Sequence, residues 1–131
     1  MSSRVYEELE HDDGSVTRYR KHVNGKGRIA SNAMVDPTAY IESSAYVEAA
    51  ATIGRAVHIG AGSWVDREAK VGAGVQIGAG VRIGPNAVIG AGSRIGSHSR
   101  IGAAARIEPG VRIAADSTIP AGATVGMNRA A

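Results

Sequence analysis

The chain has 131 residues, a formal net charge of +3, four histidines, no cysteine and no phenylalanine. That length suits one domain, and the lack of cysteine excludes disulfides and thiolate metal sites. No run of residues reads as a signal peptide or a membrane span, so the expected location is the cytoplasm or a larger particle. A charge of +3 is too small to announce a nucleic-acid partner.

The first 28 residues stand apart from the rest. Val5, Tyr6 and Leu9 sit in one candidate strand, and Val16 to Val23 form a second. His11-Asp12-Asp13-Gly14-Ser15 between them reads as a hairpin loop, and Asn24-Gly25 as a turn into the next segment. This arm, residues 1–28, is expected to cap the end of the neighbouring domain or to grip another subunit.

From Ile29 to Val125 every sixth residue is Ile or Val, seventeen hits in seventeen places. Neither a helix nor a flat sheet needs a period of six, so the repeat means stacked solenoid turns over residues 29–126. With Ile/Val as position one, position five is always small, for example Ala45, Ser63 and Val81. The two positions are two residues apart and face the same way on a strand. Position four carries Gly62, Gly74, Gly80, Asn32, Asn86, His98 and Asp116, residue types that tolerate positive φ. Pro85-Asn86 and Pro109-Gly110 read as type II corners. Residues 127–131 are a short tail, too short to cap much, so the terminal coil is left for another molecule to cover.

Position six points outward, and grouping every third hexapeptide, the coil length that the resemblance given below implies, yields three columns. One holds Tyr40, His58, Gln76, Arg94 and Arg112; the second Tyr46, Trp64, Arg82, Arg100 and Thr118; the third Met34, Thr52, Lys70, Val88, Arg106 and Thr124. Aromatics lie on the early coils and arginines on the late ones. Arg82 over Arg100, and Arg94 over Arg112, call for carboxylates or an anion between like charges. Tyr40, Tyr46, Trp64 and Val88 are the candidate interface, where Tyr and Trp are favoured.

Segments such as Ile53-Gly54-Arg55-Ala56-Val57-His58 and Ile89-Gly90-Ala91-Gly92-Ser93-Arg94 resemble the hexapeptide-repeat superfamily, the left-handed parallel β-helices. The resemblance implies an all-β prism of about five coils with three hexapeptides per turn. It also implies a left hand opposed to the usual crossover rule, and a homotrimer. Its enzymes are acyltransferases that take acyl-CoA and use a histidine base near an inter-subunit cleft. Some relatives are zinc carbonic anhydrases, but zinc needs three or four converging ligands. The solenoid has only His58 and His98, without the relatives' histidine pair spaced five apart, so no metal is expected.

His58 is the candidate base, and Arg82, Arg94 and Arg100 are candidates for CoA phosphates or another anion. His98, at a corner position, reads as a structural turn. The register has no inserted loop to cover a substrate, and no carboxylate is evidently placed to orient His58. The sequence alone therefore favours a non-catalytic homotrimer without cofactor, docked to a larger assembly through the arm or the terminal coil. A CoA-dependent acyltransferase is the alternative.

Overall fold

The computed structural model describes residues 6–10 and 16–126, with side chains from residue 18 onward. The expected tip of the hairpin, residues 11–15, Val5 and the tail 127–131 lie outside the described residues. Strand β1 (Tyr6–Glu10) pairs antiparallel with β2 (Val16–Lys21), and β2 pairs antiparallel with β3 (Arg28–Ala30). From β4 (Met34–Val35) and β5 (Tyr40–Ile41) onward every strand is two residues long. The chain is all-β, a parallel solenoid of about five coils.

The strands form three sheets, and these are the faces of the prism. Trp64 pairs with Arg82 and Gln76 with Arg94, so each partner lies eighteen residues away. One face has five strands, from β5 to Arg112–Ile113. A second has six, from β4 to Thr124–Val125. The third has eight, because the hairpin extends it beyond β3. All three outward columns read from the sequence appear as strand registers.

Two-residue strands follow from the period. One residue faces in and one faces out, and the other four turn the corner. Position one is buried from Ile29 to Ile113 except at Val35. Ile41, Ile59 and Ile83 are each 0% exposed, and a fully buried Ile contributes roughly 1.5–3 kcal/mol. At the carboxy-terminal end Ile119 and Val125 are only half-buried.

The corners divide into two kinds. From Ala50 to Gly122 every position-four residue has positive φ, Ala56, Glu68, Asn86, His98 and Asp116 included. From Glu68 onward the position-four N–H bonds a carbonyl of the preceding coil, as Gly80 N does to Ala61 O at 2.8 Å. Asn32, Thr38 and Ser44 in the first coil are not among the residues of positive φ, so the expectation for Asn32 is corrected. Their side-chain oxygens instead accept the N–H groups of Ala50, Ala56 and Gly62 at 3.2, 2.9 and 2.9 Å. A polar side chain there takes over the acceptor role that a backbone carbonyl has in later coils.

At the amino-terminal end the chain itself covers two of the three faces, and β4 remains the edge of the six-stranded one. β2 covers the outer edge of β3. The segment after β2 covers β5: Gly27 N–H donates to Ile41 O at 2.9 Å, and Ile41 N–H to Asn24 O at 3.1 Å. The approach is close enough to need glycine. A Cβ on Gly27 would stand 2.1 Å from Ile41 Cγ2, and one on Gly25 2.3 Å from Ile41 O.

A candidate site on one prism edge

Residues 96–99 form the corner between the five-stranded face, which ends at Ile95, and the eight-stranded face, which resumes at Arg100. Gly62 and Gly80 occupy the same corner on the two preceding coils. Beside this edge is a surface recess of about 290 Å³ lined by Trp64, Arg82, His98, Arg100, Gly62 and Gly80. It unites three of the expected residues with His98, which the repeat pattern alone presents as a structural turn. The signal was in the columns: eighteen residues before His98 stands Gly80. A Cβ on Gly80 would lie 2.7 Å from His98 Nδ1, so the glycine leaves the space in which the imidazole lies.

The eight-stranded face carries a ladder of rings and guanidinium groups. Tyr46 stacks on Trp64 with centroids 4.7 Å apart and planes 17° from parallel. The Arg82 guanidinium carbon lies 5.9 Å from the Trp64 centroid, and that of Arg28 5.8 Å from Tyr46. Tyr19 meets Tyr46 edge-on at 5.3 Å. The hairpin extends the sheet, and Tyr19 of β2 reaches the ladder from it. Tyr19 Oη donates to Glu48 Oε1 at 2.7 Å. Burial, and then the adjoining carboxylate, push the phenol's pKa well above its ordinary value.

Arg82 reaches Asp66 at 3.5 Å with its side chain 58% exposed. At that exposure the pair is worth at most about 1 kcal/mol. Among the described residues Arg94, Arg100, Arg106 and Arg112 form no salt bridge. The expected carboxylate between like charges is thus found only beside Arg82.

His58 lies on the five-stranded face, half-buried, with its ring stacked on Tyr40 at 5.1 Å and 8°. Arg94 is two strands along the same face. His58 and Trp64 thus lie on different faces of one subunit, either side of the same prism edge. The four candidate interface residues also fail to form one patch. Tyr40 is on the five-stranded face, Tyr46 and Trp64 on the eight-stranded face, and Val88 on the six-stranded face. Among the described residues no three His, Asp or Glu side chains converge as a metal site.

Two segments match hexapeptide families: residues 56–91 match the bacterial transferase hexapeptide (six repeats), and residues 93–127 the hexapeptide repeat of succinyl-transferase. The chain belongs to the hexapeptide-repeat superfamily and has its transferase β-helix fold. No curated protein sequence matches it.

Among solved structures it is similar to the acetyltransferase domain of PglB from Neisseria gonorrhoeae in complex with acetyl coenzyme A. That match has 28% identity and a TM-score of 0.55, covering 76% of this chain and 53% of that one. A second match is PerB from Caulobacter crescentus in complex with CoA and GDP-perosamine, with 27% identity, a TM-score of 0.39, and coverage of 71% and 48%. The chain spans about half the length of these two proteins.

Proposed function

We propose that the protein is an acyltransferase that takes its acyl group from acyl-CoA, with acetyl-CoA the first donor to test. The observation that carries this reading is the similarity to an acetyltransferase domain bound to acetyl coenzyme A. It weighs against the non-catalytic, assembly-only role that the sequence favours for want of a lid loop. The recess supports it chemically, because two guanidinium groups and an indole line a small concavity, and guanidinium groups bind phosphate oxygens well.

In this reading a homotrimer, the usual state of the family, sets the recess against a neighbouring subunit. Arg82 and Arg100, with Arg94 across the edge, hold the CoA phosphates. The acceptor's amine or hydroxyl attacks the thioester carbonyl. A C–N or C–O bond forms, the C–S bond breaks, an imidazole takes the acceptor's proton, and the thiolate leaves to become CoA thiol. His98 is the better-placed base, since it shares the recess with Trp64, Arg82 and Arg100, whereas His58 lies flat against Tyr40. His58 remains the second candidate.

Calorimetry with CoA and acetyl-CoA, followed by thiol release with a panel of amine and hydroxyl acceptors, tests the proposal. Micromolar CoA binding and turnover are expected. His98→Ala should lower turnover by about 10²-fold or more, in the range of general base catalysis, and leave CoA binding within a few-fold. Loss with His58→Ala but not His98→Ala would transfer the base role to His58. Absence of CoA binding in the folded wild-type protein would refute the reading and restore the assembly role.

A further inference from the structure

The cap over β5 at the amino-terminal end has an ionisable side chain built into it. His22 is 5% exposed, the only buried histidine among the described residues. Its Nε2 lies 2.8 Å from Ala39 O. A carbonyl oxygen only accepts, so Nε2 carries the proton and, in the neutral ring, Nδ1 carries none. The backbone on either side is tied into the same turn. His22 N–H donates to Gly27 O at 2.7 Å, and Lys26 N–H donates to His22 O at 3.1 Å. Residues 22–27 thus bind the solenoid at Ala39 through the imidazole and at Ile41 through Gly27 and Asn24.

The charged groups that act on this imidazole are Arg20 on β2 and Asp36 at the corner after β4. Arg20 opposes a positive ring and Asp36 favours one. The Asp36 Oδ1 already accepts from Thr38 N–H at 2.9 Å and Thr38 Oγ1 at 2.7 Å. Lys21 and Lys26 add positive charge to the same short segment. A second ring proton would place a charge and a new donor on Nδ1 of a side chain that is 5% exposed and has no acceptor for it among the described residues.

We propose that His22 is an acid-sensitive latch, whose protonation frees residues 22–27 from β5. The latch depends on the cap alone and does not require the acyl-transfer reading.

Burial holds the His22 pKa below its ordinary value, against the smaller opposing effect of the Ala39 hydrogen bond. The closed cap therefore binds fewer protons than the open one as pH falls below about 6.5. Its closure is fully present above that pH and is lost as pH falls towards the folded-state pKa. Over that window the opening equilibrium rises by up to about tenfold per pH unit, the slope for one proton.

The test is amide hydrogen exchange by NMR on the intact protein from pH 7.5 to 5.0, expressed as protection factors so that the intrinsic pH dependence cancels. Protection at Gly27 and Ile41 should fall, while that at Trp64 and Gly84 in the middle coils holds. His22→Gln keeps a neutral N–H donor for Ala39 O, and its cap protection should not change with pH. An equal fall in His22→Gln, or no fall in the wild type, overturns the latch. If the glutamine variant does not fold, the wild-type His22 imidazole is titrated directly. A midpoint below about 6.5 supports the proposal and one at or above it overturns it.

Discussion

Three buried serines show how little room a position-five residue has to vary. Ser63 is 1% exposed, and Ser93 and Ser99 are each 0% exposed. Ser63 Oγ donates to Gly78 O at 2.6 Å and accepts from Val81 N–H at 3.0 Å, so one hydroxyl ties a corner of its own coil to the next. Ser63→Ala fills the same space but leaves both backbone groups short of a partner. The expected cost is about 1–3 kcal/mol, read as a lower urea midpoint at unchanged slope.

Gly80 is constrained from outside instead. Alanine there would meet the His98 imidazole, while alanine already occupies the equivalent corner conformation at Ala50, Ala56 and Ala104. Gly80→Ala should therefore keep the fold, with a loss of at most about 1–2 kcal/mol from left-handed strain, and lower acyl transfer by moving His98. Full turnover in a folded Gly80→Ala protein would remove His98 from the base role. Both constraints were half legible in the sequence. The small size of position five shows in the repeat, but which hydroxyl meets which carbonyl depends on the axial offset between coils.

At the scale of the element, the strand is the same two-residue unit throughout, so its register carries the information. Deleting Ala79 puts every later Ile and Val one place off. A one-residue slip sends inward side chains to the opposite side, and this deletion should abolish cooperative folding. Deleting residues 66–83 removes one full coil and joins Val65 to Gly84 in correct register. That shorter protein should stay folded by far-UV circular dichroism, with lower stability. Identical behaviour of the two deletions would contradict the register assignment.

The hairpin and its turn obey different rules. Val16 to Val23 and Asn24-Gly25 announce a strand and a turn by composition. That residues 24–27 lie along β5, and that His22 reaches Ala39, comes from contacts fourteen to seventeen residues apart with no repeat to reveal them.

At the scale of the molecule, the prism is polarised along its axis. The aromatic rings of Tyr40, Tyr46 and Trp64 lie on early coils, and Arg94, Arg100, Arg106 and Arg112 on late ones. Its core is one continuous column, in which each coil packs against the coils next to it. Ile83→Asp buries an unpaired carboxylate at a site 0% exposed, and such burial costs several kcal/mol. The variant should be unfolded or insoluble, and a soluble, fully folded one would contradict the inward assignment of position one.

Assembly is tested by light scattering at micromolar concentration, where three chains of 13.4 kDa are expected. Trp64→Arg should weaken the trimer if the Tyr46–Trp64 ladder lies within it. A monomer in the wild type would exclude a site completed by a neighbouring subunit.

The period of six by itself determined a solenoid of stacked turns. A repeat that short, inward Ile and Val with a small residue two places before, can bury its apolar side only by stacking on copies of itself. With the three hexapeptides per turn that the family resemblance implies, modular arithmetic on the sequence then yields every outward column. Only the tertiary structure brought the residues of the candidate recess together. His98 joins Trp64, Arg82 and Arg100 because a corner side chain lies along the prism edge over Gly80, towards a neighbouring coil. His58, in an equally regular outward position, is taken up by the ring of Tyr40. The repeat sets where each backbone atom goes, and the direction a side chain leans from it depends on what the coil before it left open.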